Sequence, residues 1–483
     1  MEEKHIAAID LGSSKFALAV AKVSGDNVQV IYYRETPADG IRNSKVFNPM
    51  KVTRPLRKAI QEAEEELKIK ILQIVVGLPR YSIIQETATG AMQRVNPQEY
   101  ITFEEVQLLK ENAQNAYPLD NEAVEEIYGA VAQSFSTPEE IQLPEDDVIG
   151  TLGDSIEGNF KIFIGNRNAT VTIDKVFNDL KIAIAKKYFL PDVTAKVVLT
   201  QEEMRNGVAL VDFGAGVTSV CVYHGGIMRH FASIPFGGKT ITNDLRIECG
   251  ISEDLAENIK KAYGACMPNK LANLSEKVLQ IRYDNSPYKE VTVKYISEII
   301  DARAREIIDA VLYEIQESNF CDALRSGIVL TGGGANLTNF ANLLKEVSGY
   351  NVRFGRPLHL FSASGCVGLC NPEATAVIGM IMAAKGENMP DCVSAPEYVA
   401  PEVVVETPVA PAAEAPVAEA PVAEAPAMET PVVEDTVFNP EPVTRPEPDK
   451  NNGNTRPGGI QLLWKKLMKG VSDMADQASK EGI

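Results

Sequence analysis

The sequence predicts an α/β protein built as two duplicated lobes around one cleft, and three observations carry that reading. A strand–turn–strand unit occurs twice. Short apolar strands alternate with amphipathic helices as far as about Lys385. A length of 483 residues also exceeds what one ordinary core takes up.

The elements follow in order. His5–Asp10, Phe16–Val23 and Val28–Tyr33 read as a meander of short strands, Pro49–Leu67 as a helix and Ile71–Leu78 as a buried strand. From Ile84 to Asn166 the texture changes to a helix Thr102–Ala116, acidic loops carrying Pro138 and Pro144, and a strand Phe160–Ile164; this block reads as an inserted subdomain. Ala169–Ile173, followed by a helix Asp174–Tyr188, then resumes the α/β alternation. The expected boundaries are 1–83 and 167–200 for the first lobe, 84–166 for the insertion, and 201–238, 239–320 and 321–386 for the second lobe.

The repeat is the most informative feature. Ile6-Ala-Ala-Ile-Asp-Leu-Gly-Ser-Ser-Lys-Phe-Ala-Leu-Ala-Val20 returns in outline as Val208-Ala-Leu-Val-Asp-Phe-Gly-Ala-Gly-Val-Thr-Ser-Val-Cys-Val222, at an offset of 202 residues. A tight turn of Gly and Ser exposes consecutive backbone N–H groups, which make an anion nest. One Asp-x-Gly alone is an ordinary β-hairpin turn. Two of them with matched strands can grip a polyphosphate from both sides. Gly12, Ser13, Ser14 and Lys15 would supply donors on one side, and Gly214, Gly216, Val217 and Thr218 on the other. Asp10 and Asp212 would then meet an accompanying Mg²⁺, chiefly through its waters. A third turn, Gly327-Ile-Val-Leu-Thr-Gly-Gly-Gly-Ala-Asn336, runs from an apolar strand through Gly332, Gly333 and Gly334 to Asn336, and lets backbone approach a base or ribose. Neither GxxxxGK[ST] nor a strand-borne GxGxxG occurs, so a P-loop or Rossmann site is excluded.

Composition sets further bounds. Seven scattered cysteines with no repeated CxxC, and only four histidines, fit reduced buried thiols rather than a metal centre. A net charge of −19 argues against nucleic acid as a partner. The start carries no basic segment ahead of an apolar one, and the longest apolar run, Ala376–Ala384, is far short of the roughly 20 residues a spanning helix needs. Residues 388–459 hold 13 acidic and 3 basic residues and 14 of the 28 prolines, so 387–459 reads as a disordered acidic linker spanning on the order of 50 Å. Beyond it, Ile460, Leu463, Trp464, Leu467, Met468, Val471 and Met474 share one helical face in a segment 460–476, with Lys465, Lys466 and Lys469 roughly opposite. A Trp among lysines suits a helix lying in an anionic membrane surface, where each lysine contributes about 1 kcal/mol. One such helix attaches reversibly; many linked in a polymer would hold.

Two phosphate turns followed by an adenosine turn resemble the actin, heat-shock chaperone and sugar-kinase ATPase superfamily, and within it the FtsA family of bacterial cell-division proteins. The segments that carry the resemblance are Pro235-Phe-Gly-Gly-Lys-Thr-Ile-Thr-Asn-Asp-Leu245, Asp254-Leu-Ala-Glu-Asn-Ile-Lys-Lys-Ala-Tyr-Gly264 and Asn371-Pro-Glu-Ala-Thr-Ala-Val-Ile-Gly379. It covers roughly residues 4–385. The family's fold is the actin-like one, with duplicated ribonuclease-H-type lobes and a distinctive subdomain where 84–166 lies. The resemblance implies that ATP with Mg²⁺ is the ligand, that Gly238 borders it, and that Glu257 and Lys260, three apart on one helix face, reach its ribose and adenine. It implies that Arg303, in Ile296-Ser-Glu-Ile-Ile-Asp-Ala-Arg-Ala-Arg-Glu306, receives the acidic C-terminal tail of the tubulin-like division protein FtsZ. It further implies self-association into filaments on the cytoplasmic face of the membrane at the division site, with later division proteins as possible partners.

Some positions depart from the superfamily. Ala215 and Ser219 stand where Gly and Asp are usual, and Val193–Val198 holds no acid or amide to orient an attacking water. Weak ATPase activity at most is therefore expected, with Glu202 and Glu203 the nearest substitutes. A sugar or small-acid kinase and a pilus-assembly ATP binder of the same fold are the alternatives; neither has an obvious use for the terminal helix.

Overall fold

The computed structural model describes residues 3–271, 275–281, 288–358, 360–363, 365–387 and 389–394. The expected linker beyond 394 and the amphipathic segment 460–476 around Trp464 lie outside the described residues. Among the described residues no helix is long and apolar enough to cross a membrane.

Strands β1 (Lys4–Leu11), β2 (Lys15–Ser24) and β3 (Asn27–Pro37) form an antiparallel meander. Helix α1 (Pro49–Leu67) follows; Asn48 caps it by accepting from the Lys51 N–H, and Pro49 sits in its first turn. Strand β4 (Gln73–Gly77) then lies parallel to β1. Both faces of this sheet are covered, which is why its strands read as nearly continuous apolar runs. Phe16, Leu18 and Val20 of β2 pack in the same cluster as Val52 and Leu56 of α1, while the intervening Ala17, Ala19 and Ala21 join the core on the other face.

Between Ile84 and Asn166 the chain forms an antiparallel sheet of β5 (Ile84–Gln93), β6 (Glu125–Ser136) and a central β7 (Ser155–Asn166), covered by helix α2 (Phe103–Ala116). It has its own core, in which Phe135 and Phe160 meet edge to face with ring centroids 5.8 Å apart.

The next stretch corrects the sequence reading. Helix α3 runs over Arg167–Leu180, and strand β8 over Ala183–Tyr188, where a strand at Ala169–Ile173 and a helix Asp174–Tyr188 were expected. Asn166 caps α3 by accepting from the Ala169 N–H, and burial of Ile173, Val176 and Phe177 against the first sheet outweighs the weak helix propensity of Thr170, Val171 and Thr172. β8 pairs parallel with β4 at the sheet edge, so its lysines stay wet and conceal its strand character.

Helix α4 (Leu190–Val198) leads into the second lobe: β9 (Val208–Phe213), β10 (Thr218–His224), β11 (Ile227–Ile234), α5 (Gly238–Cys249), α6 (Glu253–Tyr263), α7 (Val293–Glu317), β12 (Ile328–Thr331), α8 (Phe340–Ser348) and β13 (Val352–Phe354). Its sheet order is β13-β12-β9-β10-β11, and the first is β8-β4-β1-β2-β3 with Ser362–Ala363 added beside β3. Every corresponding pair has the same orientation, antiparallel on the meander side and parallel on the other. The register repeats as well: Asp10 lies opposite Ala17 and Asp212 opposite Ser219, seven residues on in each case. The duplication inferred from sequence is thus a duplication of topology and register.

Helix α9 (Thr375–Lys385) returns to pack on α4 and on β1, β2 and β4, and residues of both lobes join one apolar cluster with these two helices. The helices cross so closely at Gly379 that a Cβ there would lie 2.6 Å from the Val193 carbonyl oxygen. The folded chain also continues past the expected end at Lys385. Val393 pairs with Ile71, Cys392 is buried in the first lobe's core, and its N–H donates to the His5 carbonyl (3.0 Å). No disulfide joins any of the seven cysteines, and four of them are buried.

Candidate functional site

The two matched hairpins turn toward each other. Between the register pairs Leu11–Phe16 and Phe213–Thr218 each turn holds four residues, 12–15 and 214–217. Each opens with a glycine for the same reason. A Cβ at Gly12 would lie 2.6 Å from the Lys15 carbonyl oxygen, and one at Gly214 would lie 2.7 Å from that of Val217. The turns also meet across the gap, since a Cβ at Gly216 would lie 2.7 Å from Ser13 Oγ. Ser13 Oγ accepts from the Ser44 N–H (2.9 Å), which fastens the first turn to the tight hairpin Ile41–Val46.

A cavity of about 460 Å³ lies between these turns, within the range of small-molecule sites. Gly12, Ser13, Ser14 and Lys15 line it from the first lobe, and Gly214, Gly216 and Val217 from the second. Thr218 does not. It is fully buried, and its hydroxyl donates to the Phe236 carbonyl (2.8 Å), so it steadies the strand instead of facing a ligand.

The third turn closes another wall. Gly332, Gly333, Gly334 and Asn336 all line the cavity. Gly332 has φ +84° and lies against Phe213 and Asp212, and a Cβ at Gly334 would meet the Phe213 ring at 2.6 Å; side chains are excluded at both positions. Opposite stand Gly238, at the start of α5, and Glu257 and Lys260 of α6. Lys260 Nζ reaches Glu257 (2.7 Å), the Gly238 carbonyl (2.8 Å) and Thr242 Oγ1 (2.8 Å). Burial lowers the Lys260 ammonium, with Glu257 opposing; Glu257, although half-buried, is held below the usual glutamate range by Lys260 and by the Thr242 hydroxyl.

At the centre Asp10 and Asp212 face one another, each carboxylate largely buried, with Arg80 between them. Arg80 Nη2 donates to Asp10 Oδ2 (3.1 Å), and Nε lies 3.6 Å from Asp212 Oδ2. Burial works against the Arg80 charge, but the two carboxylates outweigh it and hold the guanidinium above its ordinary value. Burial pushes the Asp212 carboxyl up, the Asp10 charge adds to this and Arg80 opposes it. Asp10 Oδ1 is buried with no hydrogen-bond partner, an orphaned acceptor at the edge of the cavity. A hydrated Mg²⁺ carried by a polyphosphate fits such an atom, because its waters donate. A site made of protein ligands alone does not fit: among the described residues no three His, Cys, Asp or Glu side chains group to hold a metal.

Sequence reasoning passed over Arg80, Glu35, Ser44 and Glu373, all of which line the cavity. Glu373 lay within the quoted segment Asn371–Gly379 without a role; it accepts from Asn336 Nδ2 (2.7 Å). Lys15, expected as a free donor, is held by Glu35 (2.7 Å) with Glu373 at 3.9 Å. No residue between 190 and 203 borders the cavity, and Glu203 is committed to Arg353 through two contacts of 2.6 Å. Arg303 lies apart from the cavity on α7, bound to Asp244 (2.5 and 3.1 Å) and Glu306 (2.5 Å).

Comparison with known proteins agrees with this architecture. The family model described as Cell division protein FtsA matches residues 209–379. The cell division protein FtsA of Neisseria meningitidis serogroup B is 28% identical over 386 residues, covering 79% of this chain and 91% of its own length. That of Bacillus subtilis is 24% identical over 379 residues (78% and 82%), and that of Escherichia coli 25% over 367 residues (74% and 86%). Among solved structures, a chain of the PilM-PilN type IV pilus biogenesis complex superposes with a TM-score of 0.56 at 15% identity, covering 79% of this chain and 99% of that one. The fold is the actin-like one, with duplicated lobes around a cleft. In sequence along most of its folded length this chain is similar to the proteins described as cell division protein FtsA.

Proposed function

We propose that the chain is an ATP-binding scaffold of bacterial cell division. It closes its two lobes on ATP and Mg²⁺, assembles into filaments on the cytoplasmic face of the membrane at the division site, and holds the acidic tail of FtsZ there. The observation that carries the reading is the convergence of five separate segments on one cavity: two register-matched hairpins, a triple-glycine turn, Gly238, and the Glu257–Lys260 pair. Backbone N–H groups and resident cations suit a polyphosphate, and the glycine-lined wall opposite a charged helix suits a nucleoside. The names of the relatives support the setting in cell division. Slow hydrolysis is part of the proposal, since Val193–Val198 of α4 holds no acid or amide and none of its residues lines the cavity.

Tail binding at Arg303 is an exchange of partners. The guanidinium already has two carboxylates, so an incoming acidic peptide takes the place of Asp244 or Glu306. Membrane attachment rests on the segment 460–476, whose Trp464 and lysines suit an anionic surface.

One experiment tests the whole proposal: sedimentation of the full chain with anionic vesicles, ATP and an FtsZ-tail peptide. The expected outcome is ATP-dependent co-sedimentation with bound peptide and no phosphate transfer to sugars. Trp464→Glu should leave the protein in the supernatant, and Arg303→Glu should lose the peptide while still pelleting. Unchanged pelleting of Trp464→Glu would sink the membrane reading.

A further inference from the structure

The proposed nucleotide site has a basic group that its phosphate-binding motifs do not include. Arg80 follows β4 at the floor of the cavity, and its side chain is only 14% exposed. It is held in place twice. Pro79 precedes it, and its own N–H donates to Ser44 Oγ (3.0 Å), whose N–H in turn donates to Ser13 Oγ in the first phosphate turn (2.9 Å). From the first lobe its guanidinium reaches Asp10 of the same lobe and Asp212 of the other. Of its five N–H donors one makes a hydrogen bond to Asp10 among the described residues and the one on Nε faces Asp212 at 3.6 Å, which leaves three on the guanidinium's terminal nitrogens beside the cavity. The lysine ammonium groups lining the cavity are already committed: Lys15 to Glu35, and Lys260 and Lys261 to Glu257.

Two carboxylates facing a polyphosphate repel it, and ordinarily Mg²⁺ relieves that repulsion. We propose that Arg80 is a resident cation of the cleft: it neutralises Asp10 and Asp212 across the gap between the lobes and offers its remaining N–H groups to the polyphosphate. The site then holds a nucleoside triphosphate with a weak dependence on Mg²⁺. The inference rests on the nucleotide reading above, and it assigns to this chain a phosphate ligand outside the two hairpins and the glycine turn.

The test is titration of a fluorescent ATP analogue into the full chain, with Mg²⁺ and with EDTA, for the wild type, Arg80→Met and Arg80→Lys. The wild type should lose no more than about tenfold in affinity on removal of Mg²⁺, whereas Arg80→Met should lose about a hundredfold, the scale of one or two charge-assisted hydrogen bonds. Arg80→Lys keeps a point charge without the fork and should fall between them. Arg80→Met leaves two buried carboxylates uncompensated and is prone to misfold, so Arg80→Met with Asp212→Asn serves as a second variant, and thermal melting establishes that each is folded. An equal ratio of the two affinities in the wild type and the Arg80 variants overturns the proposal, as does complete loss of wild-type binding in EDTA. Failure of the wild type to bind with Mg²⁺ present sinks the nucleotide reading itself, which separates the two outcomes.

Discussion

At Gly12 and Gly214 the chain has no room for a side chain, because the carbonyl three residues on lies where a Cβ would stand. The obstacle is backbone and cannot rotate away. Gly214→Ala should therefore open the second turn, lower the melting temperature by the equivalent of about 1–3 kcal/mol and weaken ATP-analogue binding at least about tenfold. Wild-type affinity in a folded Gly214→Ala protein would remove this turn from the site. These glycines were legible in the sequence because their constraint is local: strand, Asp, one residue, Gly. Arg80 was not, since its role depends on β4 lying parallel to β1 so that the chain beyond Gly77 arrives beside Asp10. Thr218 failed for the opposite reason. Its residue type suits a phosphate, but strand alternation turns the hydroxyl to Phe236.

Among the elements, the sheet of β5, β6 and β7 is organised by one buried arginine. The Arg94 side chain is 1% exposed; it donates to Glu105 (2.9 and 3.0 Å) and to the carbonyls of Glu99, Tyr100 and Gly153. Glu105 also closes the capping box of α2 by accepting from the Thr102 N–H (3.0 Å). Arg94→Met strands these acceptors and should destabilise the subdomain by about 3–5 kcal/mol, read by hydrogen exchange in β5 and β7. The hydrogen bond from Arg94 holds the Glu105 carboxyl below its ordinary value against the effect of burial. A carboxyl lowered on folding stabilises fully above its unfolded value of about 4.3 and loses that contribution as pH falls through the lower folded value. The wild-type subdomain should accordingly loosen on acidification below about pH 4.3, and Arg94→Met should flatten that dependence. Elements whose pattern matched their burial, such as α1 and the strands of the repeat, were readable. The segment from Arg167 to Tyr188 was not, because a helix rich in Thr and Val and an edge strand rich in Lys each carry the composition of the other.

For the whole molecule, the repeat at 202 residues proved sufficient to give the two-lobed architecture, since strand order, orientation and register all duplicate together. A ligand gripped by both hairpins should stabilise both lobes at once. ATP at a hundred times its dissociation constant should add about 2.7 kcal/mol to unfolding, with exchange protection rising at both the 12–15 and 214–217 turns. Protection confined to one lobe would mean that the cleft does not close. The return of the chain to its starting point has a consequence for synthesis. The first lobe takes its edge pair from Ser362–Ala363 and part of its core from Cys392, whereas the five strands of the second sheet lie within 208–354. On a ribosome adding about 5–20 residues per second, roughly 200 residues separate Tyr188 from Cys392, a delay of about 10–40 s. The lobe made first is thus finished last, and until Ser362–Ala363 have been made its sheet edge beside β3 stays open to pairing with another chain.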